Sequence, residues 1–401
     1  MDTDVISLRE YARRRRDFEQ PAEGRTLQVL RHRAGLSHHE LAAALTHELG
    51  VHVRPGAIRA WEHGPPAPPP AILAIAKRLP TLPGLPDLPP DTDSELQRGL
   101  SGGRIGAHIV RWASEQVAAL SRLDDQIGGA PVLPLASGNL ELLTQLLTNA
   151  TYKDAHATEL RHIVAEGARL AGWVAFDAGR TDKASGYWRT AITAAREVED
   201  RDYSAYAMAF LAFDAIDRQR DPSAALRFLK AAEHEASRNS PLRIVLAQWA
   251  VQPYGLLGEH REAQRSLVRA DALWEHRNCE NDPPWLYWMY LPSLSPEVPR
   301  GIIPGSPSRA EAMLVDGLDA LSDEYPRDRT LFYLGIAEAR LAQHGRLDEA
   351  VDAARTAISL VSSAPSPRVH QRLERLIYSL SGHPDAAQLR EELACTRAGH
   401  A

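Results

Sequence analysis

Two groups of side chains in this 401-residue chain could do chemistry. The first is cationic: the run Arg13, Arg14, Arg15 and Arg16, then Arg54 and Arg59 within "RPGAIRAWEHG", with His38 upstream and His63 inside that stretch. Guanidinium groups fork onto phosphates and base edges, and imidazoles supply single hydrogen bonds, so this set points to contact with a polyanion and not to bond breaking. An arginine run is also an ordinary solvated face, and for each arginine both roles stay open. The second group is aromatic: Trp249, Tyr254, Trp285, Tyr287, Trp288 and Tyr290. Rigid rings give contact area at small entropic cost, so these either close an apolar core or line a pocket for a ligand.

Other constellations exclude themselves. "HHELAAALTHELG" is rich in histidine, yet the residue three beyond Glu40 is Ala43, and the HExxH spacing of a zinc helix fails. "SGGRIG" at 101–106 follows no strand and matches neither the dinucleotide nor the phosphate-loop pattern, so it reads as a junction between linker and helix. Asp124 and Asp125 in "LDDQIGG" precede a pair of glycines, which suits turn chemistry better than an acid and base pair. Cys279 and Cys395 lack CxxC spacing and are expected to be reduced thiols of a cytoplasmic protein. No metal, no cofactor and no enzyme activity is expected.

Composition frames these groups. Hydrophobic residues make up 44% and charged residues 24% of the chain, and no tract of about 18 uncharged apolar residues could span a bilayer. The N-terminus, with Asp2, Asp4 and the arginine run, is not patterned as a secretory signal. Net charge is −6, but residues 1–78 carry 12 Lys/Arg against 9 Asp/Glu, while the remainder carries 34 against 43. A basic head on an acidic body fits a chain that meets phosphate with the head alone.

The elements that must position the cations are short helices. Segment 7–18 opens with Ser7 and Glu10 in capping-box spacing and reads as an amphipathic helix. Thr26 caps a helix with Leu27 and Leu30 inward, ended by Gly35, and Ser37 with Glu40 opens the next, which buries Leu41, Ala42 and Leu45. Pro55 starts a third, with Ile58 and Trp61 inward and Gly64 at its end. Together "LRHRAGLSHHELAAAL", "RPGAIRAWEHG" and "PPPAILAIAKRL" resemble the xenobiotic-response-element family of phage-repressor-like helix-turn-helix domains, over residues 26–79. The turn "THELGVHV" is longer than that family's shortest form. The resemblance implies a homodimer that places the helix from Pro55 in the major groove of double-stranded DNA. It puts Pro55, Gly56 and Ala60 at the base-facing positions and phosphate contacts at His38 and His63, leaving direct readout to Arg54 and Arg59. Pro, Gly and Ala offer a base no side-chain donor, so phosphate positioning and DNA shape must supply much of any specificity.

The aromatics belong to a repeat. The span 80–93, "PTLPGLPDLPPDTD", cannot hold a continuous helix and marks a domain boundary; helical runs over 104–127 and 138–148 follow. Further on, the pattern Ala, large apolar at +4, small at +7 occurs at Ala184/Trp188/Ala191, Ala224/Phe228/Ala231, Ala263/Leu267/Ala270 and Ala310/Leu314/Gly317, with Ala350/Ala354/Ala357 as a small-residue variant. These offsets share one helix face, so each triple is expected to be the packing stripe of the second helix of a pair. The turns "DAGRTDKA", "RQRDPSAA", "LLGEHREA" and "QHGRLDEA" precede four of them. The units resemble tetratricopeptide repeats, on whose first-helix positions Gly172 and Tyr254 fall. The longest step holds "NDPPWLYWMYLPSLSPEVPRGIIPGSP", expected to be a loop, with its aromatics either in a shortened first helix that caps the core or around a ligand.

The expected architecture is all-α. A five-helix helix-turn-helix domain with its basic N-terminal helix fills 1–79, a Pro/Gly-rich linker 80–103, connecting helices 104–154 and an α-solenoid of tetratricopeptide-like pairs 155–401. With head, hinge and repeat body in that order, the chain resembles a family of actinobacterial regulators. The resemblance implies a cytoplasmic transcription regulator that senses a peptide, small-molecule or protein effector through the solenoid. The alternative is an adaptor that does not bind DNA, whose solenoid mediates protein–protein interaction.

Overall fold

A computed structural model describes residues 27, 30–31, 38–49, 51–63, 67–78, 92–277, 283–286, 296–320, 326–361 and 366–398. Among the described residues the chain is all-helical, with eighteen α-helices and no strand beyond one isolated bridge. They fall into two compact units: one within Met1–Asp124, Pro131–Val174 and Arg189–Glu199, the other within Asp125–Ala130, Ala175–Trp188 and Asp200–Ala401. The expected amphipathic helix over 7–18 lies outside the described residues.

The head contains α1 (His38–Leu49), α2 (Pro55–His63) and α3 (Pro70–Ala76), preceded by helical residues Leu27, Leu30 and Arg31. The apolar positions picked out by helical spacing do form its core: Leu27, Leu30, Leu41, Ala42, Leu45 and Ile58 are buried, joined by Val53, Ile72, Ile75 and Ala76. Trp61 packs on the edge of that core and is only half-buried. The long turn between α1 and α2 is tied by Thr46, whose hydroxyl donates to Ala42 O at 2.7 Å and accepts from Val53 N at 3.0 Å. That bond buries Val53 and leaves Val51 60% exposed.

Between head and body come α4 (Thr92–Leu100), α5 (Ala107–Ile127), α6 (Gly129–Asn149), α7 (Asp154–Asp177) and α8 (Thr181–Glu197). Helix α4 forms inside the span expected to be linker, where Asp93 and Glu95 in its first turn complement the helix dipole. Helix α6 starts nine residues before the expected 138 and runs through Pro134, where Ser137 Oγ donates to Leu133 O at 2.8 Å. "SGGRIG" joins two helices, α4 and α5, and not linker to helix, and it is pinned by Ile105 N donating to Thr151 O and Thr151 N to Gly103 O, both at 3.0 Å. Asp124 departs from the turn reading. It lies within α5, is buried, and accepts from Trp173 Nε1 at 3.0 Å.

The body is a succession of helix pairs: α9 (Arg201–Asp217) with α10 (Pro222–Glu235), α11 (Leu242–Leu256) with α12 (His260–Glu275), α13 (Glu297–Ile302) with α14 (Pro307–Ala320), α15 (Pro326–Leu341) with α16 (Leu347–Val361), and α17 (Pro367–Ser379) with α18 (Ala386–Ala398). First helices touch in series, α9 to α11 to α13 to α15 to α17, giving a solenoid-like stack. Asp200, Asp221 and Ser366 cap α9, α10 and α17 by accepting from the backbone three residues on. Three of the four inter-helix turns place glycine in the left-handed region, Gly179, Gly258 and Gly345; in "RQRDPSAA" Arg220 takes that conformation at φ 55°.

Four of the five expected stripes are buried as read, but the second is rotated. In α10 the buried triple is Ala225, Leu229 and Ala232, while Phe228 is half-buried and Ala231 exposed. The stretch "AALRFLKAA" satisfies the small, large, small spacing in two registers one residue apart, so spacing could not choose between them. The irregular unit also differs in detail. Its shortened first helix, α13, is built from "EVPRGI", and Trp285 sits upstream in a 3₁₀ turn, Pro284–Leu286. Helix α13 crosses α11 so closely that a Cβ at Gly255 would lie 1.8 Å from Gly301 O. Only glycine at both positions permits that approach.

Candidate functional site

In the head, α2 has two distinct faces. Ile58 and Glu62, one turn apart, are fully buried, whereas Gly56 and Ala60, also one turn apart, are exposed, and nothing lies within 4 Å of the position a Gly56 Cβ would take. Glu62 accepts a two-pronged bond from Arg31, Nε to Oε1 at 2.7 Å and Nη2 to Oε2 at 2.8 Å, locking the end of α2 to the helix preceding α1. Arg54 is exposed at the start of α2, and Lys77 and Arg78 are exposed after α3. His38, Arg59 and His63 fall in α1 and α2, but their side chains lie outside the described part, as do Arg13, Arg14, Arg15 and Arg16 altogether.

In the body, first helices carry the chemistry. A small cleft, partly open to solvent and with space of about 10 Å³, room for about one water, is lined by Ala212, Phe213 and Ile216 of α9, Gln248, Trp249 and Gln252 of α11, and Glu297 at the start of α13. Its apolar wall belongs to an aromatic cluster: Trp249 meets Phe213 and Phe210 edge-on at 4.6 and 5.3 Å, Phe210 meets Trp188 at 5.6 Å and Tyr206 at 5.0 Å, and Tyr206 stacks on Trp285 at 4.7 Å.

Glu297 ties this wall to a chain of ion pairs. It accepts from Arg372 Nη1 at 2.6 Å and Arg300 Nη1 at 2.8 Å, with Arg368 Nη1 at 3.9 Å. Arg300 also forks onto Glu338 at 2.5 and 3.0 Å. Arg368 Nε lies 3.4 Å from Asp177, the buried last residue of α7, which further binds Arg327 at 3.4 Å, Ser366 Oγ at 2.8 Å and Gly129 N at 3.1 Å. Asp125 stands 3.9 Å from Arg327. Burial pushes the carboxyls of Glu297 and Asp177 up, but the surrounding arginines outweigh it and hold both below the usual carboxylate range. Arg372 moves against its own preference: burial, reinforced by Arg300 and Arg368, lowers its pKa from the ordinary arginine value despite Glu297. Its Nε and Nη2 have no partner, and neither has Gln248 Nε2, although both side chains are 3% exposed.

Of the aromatic candidates, Trp249 lines the cleft and Trp285 joins the cluster behind it, while Tyr254 packs against the core of the later pairs. Tyr287, Trp288 and Tyr290 lie outside the described residues. Sequence spacing missed Gln248, Glu297, Arg368 and Arg372. The signal was present in "PRVHQRLERL", where Arg368 and Arg372 stand one turn apart beside Val369 and Leu373, too close to the buried stripe to be a solvated face. Among the described residues no cluster of His, Cys, Asp and Glu could hold a metal, and no helix is long and apolar enough to cross a membrane. In comparison with known proteins, no family model and no curated protein matches the chain.

Proposed function

We propose that the chain is a cytoplasmic, homodimeric transcription regulator of the xenobiotic-response-element type, with a DNA-contacting head and an effector-sensing, tetratricopeptide-like body. The observation that carries this reading is the two-faced α2. A dedicated core and the Arg31–Glu62 fork hold one face, while Gly56, Ala60 and Arg54 stand open on the other. A helix with a small-residue face can bring its backbone close to a groove, where Arg54 and Arg59 supply the direct contacts and phosphate contacts set the register. An effector bound to the body would act by altering the separation of two heads on DNA.

Selection of genomic fragments on the purified protein at two salt concentrations tests the reading. The expected result is an enriched sequence whose binding falls steeply with salt and is lost with Arg54→Ala plus Arg59→Ala. No enrichment at either salt, or the same enrichment with the variant, refutes it. The second reading, an adaptor that does not bind DNA, is favoured by one feature: Gly56 and Ala60 carry no hydrogen-bond donor on their side chains. It predicts that failed selection together with retained folding.

A further inference from the structure

Helix α2 is fixed to the head at few points. Among its described residues only Ile58 and Glu62 are fully buried, while Ala57 and Trp61 are half-buried. Ile58 belongs to the apolar core with Leu27, Leu30, Leu41 and Leu45, and because apolar burial is non-directional this contact acts as a pivot. Glu62, one turn later, is the arm. It takes Arg31 Nε and Nη2 on separate oxygens at 2.7 and 2.8 Å, a pairing whose direction is set by two parallel bonds. An apolar pair of similar volume would hold a buried site as firmly, but it would not supply that direction. Gly56 and Ala60 stand two positions from Ile58 and Glu62, roughly 200° round the helix, so they ride on the opposite face. Gly56 also lies six residues before Glu62, roughly 9 Å along the axis, and a tilt of about 10° at the pair moves it by about 1.6 Å. A hydrogen bond to a base edge is lost over such a distance, whereas a phosphate contact through a long, flexible cationic side chain follows it.

We propose that Arg31 and Glu62 are positioning residues for DNA reading: their fork fixes the tilt and rotation of α2, and through them the sequence discrimination of the head, while affinity for phosphate is independent of it. This deepens the reading of the head as the DNA-contacting part and rests on it. Both side chains are buried, Arg31 4% and Glu62 0% exposed, so neither touches a base or a phosphate. The pair acts only through where it places Arg54 and the face of Gly56 and Ala60.

The test uses the full chain, the fragment enriched by the wild type and a shuffled fragment of the same length and composition. Affinities are read by fluorescence anisotropy at a single salt concentration, and folding by urea unfolding. Arg31→Met combined with Glu62→Leu leaves the net charge unchanged and the chain folded. The expected result is an unchanged affinity for the shuffled fragment and a loss of about tenfold for the enriched one. Arg31→Lys, which keeps the charge but cannot fork, loses discrimination in the same direction. Retention of wild-type discrimination within about twofold by either folded variant overturns the proposal, as does equal weakening of both fragments. Failure of both variants to fold also overturns it, because the pair is then a stability element alone. A wild type that enriches no fragment removes the DNA reading and this proposal with it, whereas a wild type that reads beside a double variant that reads equally well strikes the pair alone.

Discussion

Head and body each bury an arginine against a glutamate, and the two pairs differ in what is left over. Arg31 meets Glu62 through two parallel bonds, a closed unit that fixes α2 to the helix before α1. Arg372 meets Glu297 through one, with the other donors of its guanidinium facing no acceptor. A closed fork is a structural joint whose worth is orientation. An open one leaves buried donors without a protein acceptor, a cost that the closed fork avoids.

The comparison can be broken most forcefully at Glu297. Glu297→Ala leaves Arg372, Arg300 and Arg368 without their shared carboxylate and is expected to destabilise the body by about 4 kcal/mol or more in urea unfolding. In the head, Glu62→Ala removes the two-pronged partner of buried Arg31 and should cost about 3 kcal/mol, most of it recovered when Arg31→Met is combined with Glu62→Leu. A loss under about 1 kcal/mol at either site would mean that water reaches the arginine and that the pair is not buried in solution. Acid supplies the next contrast. The folded values for Asp177 and Glu297 lie below their ordinary 3.8 and 4.5, so their stabilisation is complete above the ordinary values and is lost as pH falls toward the folded ones. The destabilisation caused by Glu297→Gln is therefore largest near neutrality and shrinks below pH 4.5, as a pH series of unfolding midpoints would read. The smallest effect sharpens the distinction between paired and unpaired donors: Gln248→Leu should raise stability by about 1 kcal/mol, measured as a higher urea midpoint, because it removes a buried amide nitrogen that has no acceptor.

Helical spacing made the described apolar positions of the head legible, while the expected caps Thr26 and Ser37 and stops Gly35 and Gly64 lie outside the described residues. Leu41, Ala42, Leu45 and Ile58 sit where a 3.6-residue period puts them, since local periodicity alone decides which face is apolar. Glu62 did not stand out, because its partner is 31 residues away and a glutamate beside a histidine looks like surface. The repeat stripes of the body were legible for the same local reason, except in α10, where doubled alanines allow two registers. The cleft was mostly illegible. Trp249 could be picked out as an aromatic, but Glu297 acquires its meaning from Arg372, 75 positions on, and no local pattern records a pairing across that distance.

Asp177 gives the body a property that a simple stack lacks. In an open array each pair touches only its neighbours, so pairs can be added or removed and the ends never know. Here the end of α7 is bonded to Ser366 and Arg368, 189 and 191 positions away, and to Arg327 in between. The acid at one end and the basic helix starts at the other act as a length gauge that is satisfied by one number of pairs. Excision of a whole pair such as 201–235, tolerable in an open array, would leave Asp177 buried opposite nothing.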